Sequence, residues 1–180
     1  MALAGWLGAA RVPYAIIGGV AVALQAAPRF TKDIDLVVWT EDARWPELVD
    51  SAQPFSITPR MTDWLAFAGR TRVLLLVHAS GVPLDISCGA LPFEQELIES
   101  AVDLDLGSVT VPVATPAHLL VMKAIANRPR DRADIETLLR VFPDVDTDTA
   151  RKVVAEFAAA LETPELVSDF ERVVRDSKAR

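Results

Sequence analysis

Apolar positions in this chain follow two patterns, one typical of short strands and one typical of helices. Short apolar or alternating runs predict strands at residues 14–17, 33–39, 64–68, 73–78, 82–87, 102–106 and 109–113. Helical spacing or composition predicts helices at residues 2–10, 20–27, 41–52, 93–100, 116–127, 131–141, 147–160 and 164–178. We therefore predict an α/β (α+β) fold, with a small mixed β-sheet core over residues 1–115 and a C-terminal helical bundle over residues 116–180.

The composition is that of a globular chain with an acidic balance. Of the 180 residues, 51% are hydrophobic, and the net charge of −7 argues against a broad basic surface for nucleic acid. The apolar N-terminal stretch lacks the basic start of a signal peptide, and no apolar run is long enough to cross a membrane. One cysteine excludes an internal disulfide, and two histidines leave little for a zinc site. We therefore expect a cytoplasmic protein with no membrane partner, whose oligomeric state the sequence leaves open.

Two carboxylates stand two residues apart in the second predicted strand. Asp33 and Asp35 project from the same face of an extended chain, and the apolar residues after Asp35 indicate a mostly buried strand. Two like charges at that separation repel each other unless protons or a cation lie between them. Unpaired carboxylates on a mostly buried strand are costly, so a cation or a nearby arginine is implied. Carboxylate oxygens are the ligands that Mg²⁺ prefers. The pair therefore predicts a metal site, with the exposed edge of an ordinary strand as the alternative.

A third carboxylate lies in a later predicted strand with similar apolar neighbours. If that strand lies beside the first acidic strand, Asp85 meets Asp33 and Asp35 and completes a site of the kind that binds two metal ions. Weaker candidates, at predicted turns or in an alternating exposed strand, are Asp63, Asp103 and Asp105.

A pair of glycines stands between the first predicted strand and a predicted helix. Gly18 and Gly19 allow the backbone to approach a ligand closely, and amide groups at the start of the following helix can bind phosphate. A purely structural turn uses the same residues. The position of the pair, one short helix before Asp33, favours a phosphate-binding turn.

Taken together, these motifs resemble the polymerase-beta-type nucleotidyltransferase superfamily. The motifs are Gly18-Gly19, the signature Arg29-x-Thr31-x-Asp33-x-Asp35 and the downstream Asp85.

Within the superfamily, the chain looks like the minimal branch that contains the AbiEii-like toxins of toxin–antitoxin systems. That branch adds a lysine on a helix after the sheet and a nearby stretch of arginine and aspartate. Lys123 and residues 128–135 fit this pattern. The resemblance covers roughly residues 14–139, and its motifs occur in the expected order.

The resemblance implies transfer of a nucleoside monophosphate (NMP) from a nucleoside triphosphate (NTP) to a hydroxyl group, with Mg²⁺ or Mn²⁺ as cofactor. It implies that Asp33, Asp35 and Asp85 bind the metal and that Asp85 helps to activate the attacking hydroxyl. The acceptor stays open between an RNA 3′ end such as that of tRNA, a protein side chain and a small molecule. An antitoxin is the implied protein partner. The implied nucleotide- and phosphate-binding residues are Gly18, Gly19, Arg29, Thr31, Lys123 and Arg130.

One departure from the superfamily pattern leaves other functions open. Many members have a serine directly after the glycine pair, whereas this chain has Val20. A catalytically weak relative that binds a nucleotide or a partner is therefore one alternative, and transfer of the γ-phosphate is another. For Lys123 the alternative is a helix lysine that extends its ammonium to solvent. For the arginines at 128, 130 and 132 it is an exposed helix start paired with Asp131 and Asp134.

Overall fold

The computed structural model describes residues 2–28 and 30–178. These residues form two compact units, residues 2–20 with 30–114 and residues 21–28 with 115–178. The strands are β1 (Tyr14–Ile17), β2 (Ile34–Val38), β3 (Ile57–Pro59), β4 (Val73–His78), β5 (Pro83–Cys88), β6 (Val102–Asp105) and β7 (Thr110–Val113). The helices are α1 (Ala2–Ala10), α2 (Gly18–Gln25), α3 (Trp45–Asp50), α4 (Trp64–Thr71), α5 (Pro92–Glu99), α6 (Pro116–Ala126), α7 (Pro129–Val141), α8 (Thr147–Ala160) and α9 (Glu165–Lys178).

The first unit is built on one mixed sheet in the strand order β3-β4-β5-β2-β1-β7-β6. Strand β2 is central, antiparallel to β1 and parallel to β5. The two acidic strands of the sequence are therefore direct neighbours, in a register that pairs Asp35 with Asp85. The predicted α/β fold class is confirmed.

Alternation along the strands places the hydrophobic core of the first unit on one face of the sheet. Leu36 and Val38 of β2, together with Leu84 and Ile86 of β5, belong to one buried cluster that also contains Trp6 of α1. Residues at odd positions of these strands, Asp35 and Asp85 among them, project from the opposite face because side chains alternate along a strand. The acids are therefore directed away from this core.

One predicted strand is wrong, and one predicted turn begins a helix. Residues 64–68, predicted as a strand, belong to α4, in which Trp64 packs against the core and Ala68 is buried. Trp64, Phe67 and Ala68 have the i, i+3, i+4 spacing of a helix face, and a short apolar run does not by itself distinguish a strand from a helix. At the glycine pair, α2 starts directly at Gly18 without an intervening turn.

The second unit is helical, and its four long helices pack against one another. Helix α8 begins at Thr147 because the side chain of Asp146 accepts hydrogen bonds from the amides of Asp148 (3.0 Å) and Thr149 (2.9 Å). Helix α6 ends at Ala126. The next residue, Asn127, adopts a φ of +46°, and its side chain donates to Asp169 of α9 (2.8 Å). Among the described residues, no helix combines the length and apolar character needed to span a membrane.

Candidate active site

The parallel pairing of β2 with β5 brings three carboxylates to one place. Asp35 and Asp85 lie opposite each other in adjacent strands, and Asp33 directly precedes β2. One carboxylate oxygen from each residue lies within 4.8 Å of the others, and all three side chains are partly buried. This group, Asp33, Asp35 and Asp85, is called the acidic triad below.

Gly18 provides the space that the acidic triad needs on the β1 side. The register of β1 and β2 places Ile17 opposite Asp35, so that Gly18 follows directly beside that carboxylate. A Cβ atom added at Gly18 would lie 2.0 Å from Oδ2 of Asp35, and the backbone there has a φ of +64°. Only glycine combines that conformation with the absence of a side chain. Gly19 is buried in the first turn of α2.

Among the described residues, the side chains of Thr31 and Arg60 form hydrogen bonds with members of the acidic triad. The hydroxyl of Thr31 donates to Oδ1 of Asp33 at 2.9 Å. The guanidinium of Arg60 donates to Oδ1 of Asp85 and forms an ion pair with it. Thr31 is among the residues expected from the sequence, whereas Arg60 is not. No local motif marks Arg60, because only the order of the strands brings it near Asp85.

Lys123 lies in the second unit, in a buried ion-pair cluster. Its side chain is 5% exposed, and its ammonium nitrogen lies 3.1 Å from Oδ1 of Asp131 and 2.7 Å from Oδ2 of Asp134. Arg128 also pairs with Asp131, at 2.5 Å. Burial alone raises the pKa of Asp131, but hydrogen bonds from Arg128 and Lys123 outweigh it and leave the pKa below its ordinary value. Lys123 is thus not a lysine that extends its ammonium to solvent.

The other basic candidates have different environments. Arg130 is exposed in the first turn of α7. Arg132 forms an ion pair with Asp169 (3.1 Å) and donates to Asn127 (3.1 Å), so it joins the helices of the second unit. Arg29, expected beside the acids, lies outside the described residues.

Comparison with known families adds a match over nearly the whole chain. The sequence matches the protein family described as "Nucleotidyl transferase AbiEii toxin, Type IV TA system" over residues 2–179. No curated protein sequence matches significantly.

Several solved structures share the fold at low sequence identity. An antigenic nucleotidyltransferase-like protein from Paracoccidioides brasiliensis is 20% identical, with a TM-score of 0.56 over 94% of this chain and 88% of that one. The antibiotic-resistance factor ANT(2'')-Ia is 15% identical, with a TM-score of 0.58 over 91% of each chain. The lincosamide antibiotic adenylyltransferase LnuA is 14% identical, with a TM-score of 0.53 over 77% of this chain and 93% of that one. At these identities, the likeness establishes the fold alone.

Proposed function

The chain belongs to the AbiEii family of nucleotidyltransferases, and on that premise we propose that it moves an NMP from an NTP to a hydroxyl acceptor with the acidic triad as its reaction centre. The observation that carries the proposal is the convergence of Asp33, Asp35 and Asp85 within 4.8 Å. Asp85 is distant in sequence from Asp33 and Asp35. Three carboxylates held this close together repel one another unless protons or a cation lie between them.

The proposed transfer forms one phosphorus–oxygen bond and breaks another. The acceptor hydroxyl oxygen bonds to the α-phosphorus, the bond from that phosphorus to the bridging oxygen of the β-phosphate breaks, and pyrophosphate leaves. The hydroxyl proton passes to a base, a role that we assign to Asp85. The protein contributes positioning and electrostatic stabilisation in reactions of this kind.

The acidic triad fits a divalent cation by the chemistry of its donors. All three ligands are carboxylates, the oxygens that Mg²⁺ and Mn²⁺ prefer, and their partial burial reduces competition from water. We assign Asp33, Asp35 and Asp85 as the residues that hold the ion. When bound, the ion would supply charge stabilisation for the triphosphate.

On the nucleotide side, the assigned residues lie near the start of α2 and in the segment before β2. We assign phosphate binding to Gly18 and Gly19, whose amides stand at the start of that helix. We assign phosphate binding to Thr31 as well, whose hydroxyl donates to Asp33 and so orients that carboxylate. The phosphate-binding roles of Arg29, Lys123 and Arg130 remain predictions from the family resemblance.

A label-transfer assay tests the proposed reaction. Protein is incubated with Mg²⁺ and each α-labelled NTP, alone and with candidate acceptors, and wild type is compared with Asp33→Ala and Asp35→Ala. We expect both substitutions to reduce transfer at least about a hundredfold, the usual scale for loss of an electrostatic group at a reaction centre. Asp103→Ala, at an exposed position of β6, is the matched control and should transfer like wild type. Transfer that survives both triad substitutions would falsify the mechanism.

The same assay with a γ-labelled NTP separates the two possible transfers. NMP transfer is identified when α-labelled NTP labels the acceptor and γ-labelled NTP labels the released pyrophosphate. Label in the acceptor from the γ position identifies a kinase-like reaction instead.

The acceptor is proposed by class. The family is described as a toxin of a type IV toxin–antitoxin system, and one structure of the same fold is an antibiotic adenylyltransferase. We therefore propose to test three classes of acceptor in the assay. The first is total RNA including tRNA, the second is protein (this chain and others), and the third is small molecules that carry a hydroxyl group. Growth arrest on expression of wild type but not of Asp35→Ala, relieved by the product of a neighbouring gene, would support a toxin with an antitoxin partner.

A second candidate function is nucleotide or partner binding with little turnover. Two observations favour it: Val20 stands where many superfamily members have serine, and Lys123 is already paired with two buried carboxylates. Calorimetry with Mg²⁺ and NTP distinguishes the candidates. Binding without transfer to any acceptor class identifies the second function.

A further inference from the structure

Arg60 lies two strands away from Asp85 in a single row of the sheet. Its amide donates to the carbonyl of Leu75 (2.9 Å), which continues the pairing of β3 with β4 by one residue. Leu75 lies opposite Asp85 in β5, and Asp85 lies opposite Asp35 in β2. Residues opposite one another in a sheet project from the same face. Arg60 is therefore on the face of the acidic triad, on the side of Asp85 that lies away from Asp35 and Gly18.

The position of Arg60 affects the charge balance of the acidic triad. Three carboxylates within 4.8 Å repel one another, and each pair raises the free energy of the folded protein when no cation is present. The guanidinium of Arg60 lies beside the Asp85 carboxylate and carries a permanent positive charge, because a guanidinium stays protonated in proteins. The pair thus offsets part of the repulsion.

The exposure of the pair makes it exchangeable. The Arg60 and Asp85 side chains are 32% and 34% exposed, so the guanidinium can leave the carboxylate for water without being desolvated. An ion pair of this exposure contributes little net stability. A divalent cation held by three carboxylates competes effectively against such a contact.

We propose that Arg60 is a resident counter-ion of the acidic triad, which holds Asp85 in place without metal and is displaced from that carboxylate when a divalent cation binds. Arg60 is then a positioning residue, because it acts through Asp85 and not on the substrate. The inference rests on the proposed function in one respect, namely that the acidic triad binds the metal.

Mn²⁺ affinity of the Arg60→Gln protein tests the competition directly. Removing the competing charge should tighten Mn²⁺ binding about two- to fivefold, the range for an ion pair that is one-third exposed. The affinity is measured by calorimetry or by the spectroscopic signal of free Mn²⁺, with no nucleotide present. With a chelator present, the same variant should melt at a lower temperature than wild type. Saturating Mn²⁺ should raise the melting temperature of the variant by more than it raises that of wild type.

Two further variants control for charge and for folding. Arg44→Gln removes the same charge from an exposed pair with Glu47 beyond the other end of β2, and should leave Mn²⁺ affinity at the wild-type value. Arg60→Lys keeps the positive charge and should bind Mn²⁺ like wild type, and therefore more weakly than Arg60→Gln. If Arg60→Lys binds as tightly as Arg60→Gln, charge competition is wrong.

The outcomes separate this inference from the proposed function. If wild type and Asp35→Asn bind Mn²⁺ equally well, or wild type does not bind it, the acidic triad is not the metal site. If Asp35→Asn abolishes binding while Arg60→Gln binds like wild type or more weakly, the metal site stands and the role of Arg60 is overturned.

Discussion

Gly18 has no side chain at the point where Asp35 needs the space. Its φ of +64° and the 2.0 Å separation between an added Cβ and Oδ2 of Asp35 are two separate requirements for glycine. The first concerns the backbone conformation, and the second concerns the position of one carboxylate of the acidic triad. The residue therefore links the start of α2 to the acidic triad.

Substitution of Gly18 by alanine should both destabilise the protein and disorder the acidic triad. We expect Gly18→Ala to lower the free energy of unfolding by about 1–2 kcal/mol through backbone strain alone, and by more through the contact with Asp35. Label transfer and Mn²⁺ binding should fall because Asp35 must move. Urea denaturation and Mn²⁺ calorimetry measure the two effects.

Gly81 provides the matched control for that substitution. It has a φ of +87°, but an added Cβ would have no atom within 4 Å. Gly81→Ala should therefore lower the free energy of unfolding through backbone strain, whereas its Mn²⁺ affinity should equal that of wild type. Equal loss of Mn²⁺ affinity in both variants would contradict the role assigned to Gly18.

Helices α6 and α7 are joined by a buried ion-pair cluster. Lys123 on α6 contacts Asp131 and Asp134 on α7, and all three side chains are at most 7% exposed. A buried pair of this kind is costly to break, because the partner that remains is left charged and desolvated. The two acids, separated by one helical turn, both face Lys123.

Replacement of the lysine should therefore destabilise the helical unit strongly. We expect Lys123→Met to lower the free energy of unfolding by about 3–5 kcal/mol, because Asp131 and Asp134 lose their shared cation. Lys152→Met, at an exposed position of α8, should change stability by less than about 0.5 kcal/mol. Chemical denaturation followed by far-UV circular dichroism measures both. A Lys123→Met protein as stable as wild type would show that the cluster does not hold the two helices together.

At the scale of the whole molecule, the one cysteine reports on the integrity of the sheet. Cys88, at the end of β5, is 2% exposed and belongs to the hydrophobic core. Burial raises the pKa of its thiol to about 12, although nearby Arg72 opposes the effect. A thiol reagent requires the thiolate, so native Cys88 should be nearly inert.

Thiol labelling at pH 8 should therefore follow opening of the first unit. We expect native protein to react at least roughly a thousandfold more slowly than protein in denaturing urea, because the raised pKa suppresses the thiolate and burial blocks the reagent. Gln95→Cys in a Cys88→Ser background, exposed on α5, should react rapidly without urea. Fast labelling of native Cys88 would show that β5 opens readily.

Local pattern predicted most elements of the molecule because each helix and strand has its own periodicity. The helix at residues 147–160 follows directly from its spacing, and the hairpin of β6 and β7 follows from a glycine turn between two apolar runs. The strand predicted at residues 64–68 is wrong because a five-residue apolar run fits both periods, and packing of Trp64 and Ala68 against the core decides for a helix. Residues 21–28 group with the C-terminal helices, which no local pattern indicates.

The sequence by itself determined that Asp35 and Asp85 stand within strands and Asp33 directly before one, beside apolar residues that the fold buries. Only the tertiary structure decided that β2 and β5 are adjacent and parallel, in the register that aligns Asp35 with Asp85. It also placed Arg60 on Asp85, because strand order depends on packing across the sheet and leaves no periodic trace along the chain. The identity of the three carboxylates can therefore be read from local sequence. Their charge balance depends on contacts between residues that are distant in the sequence.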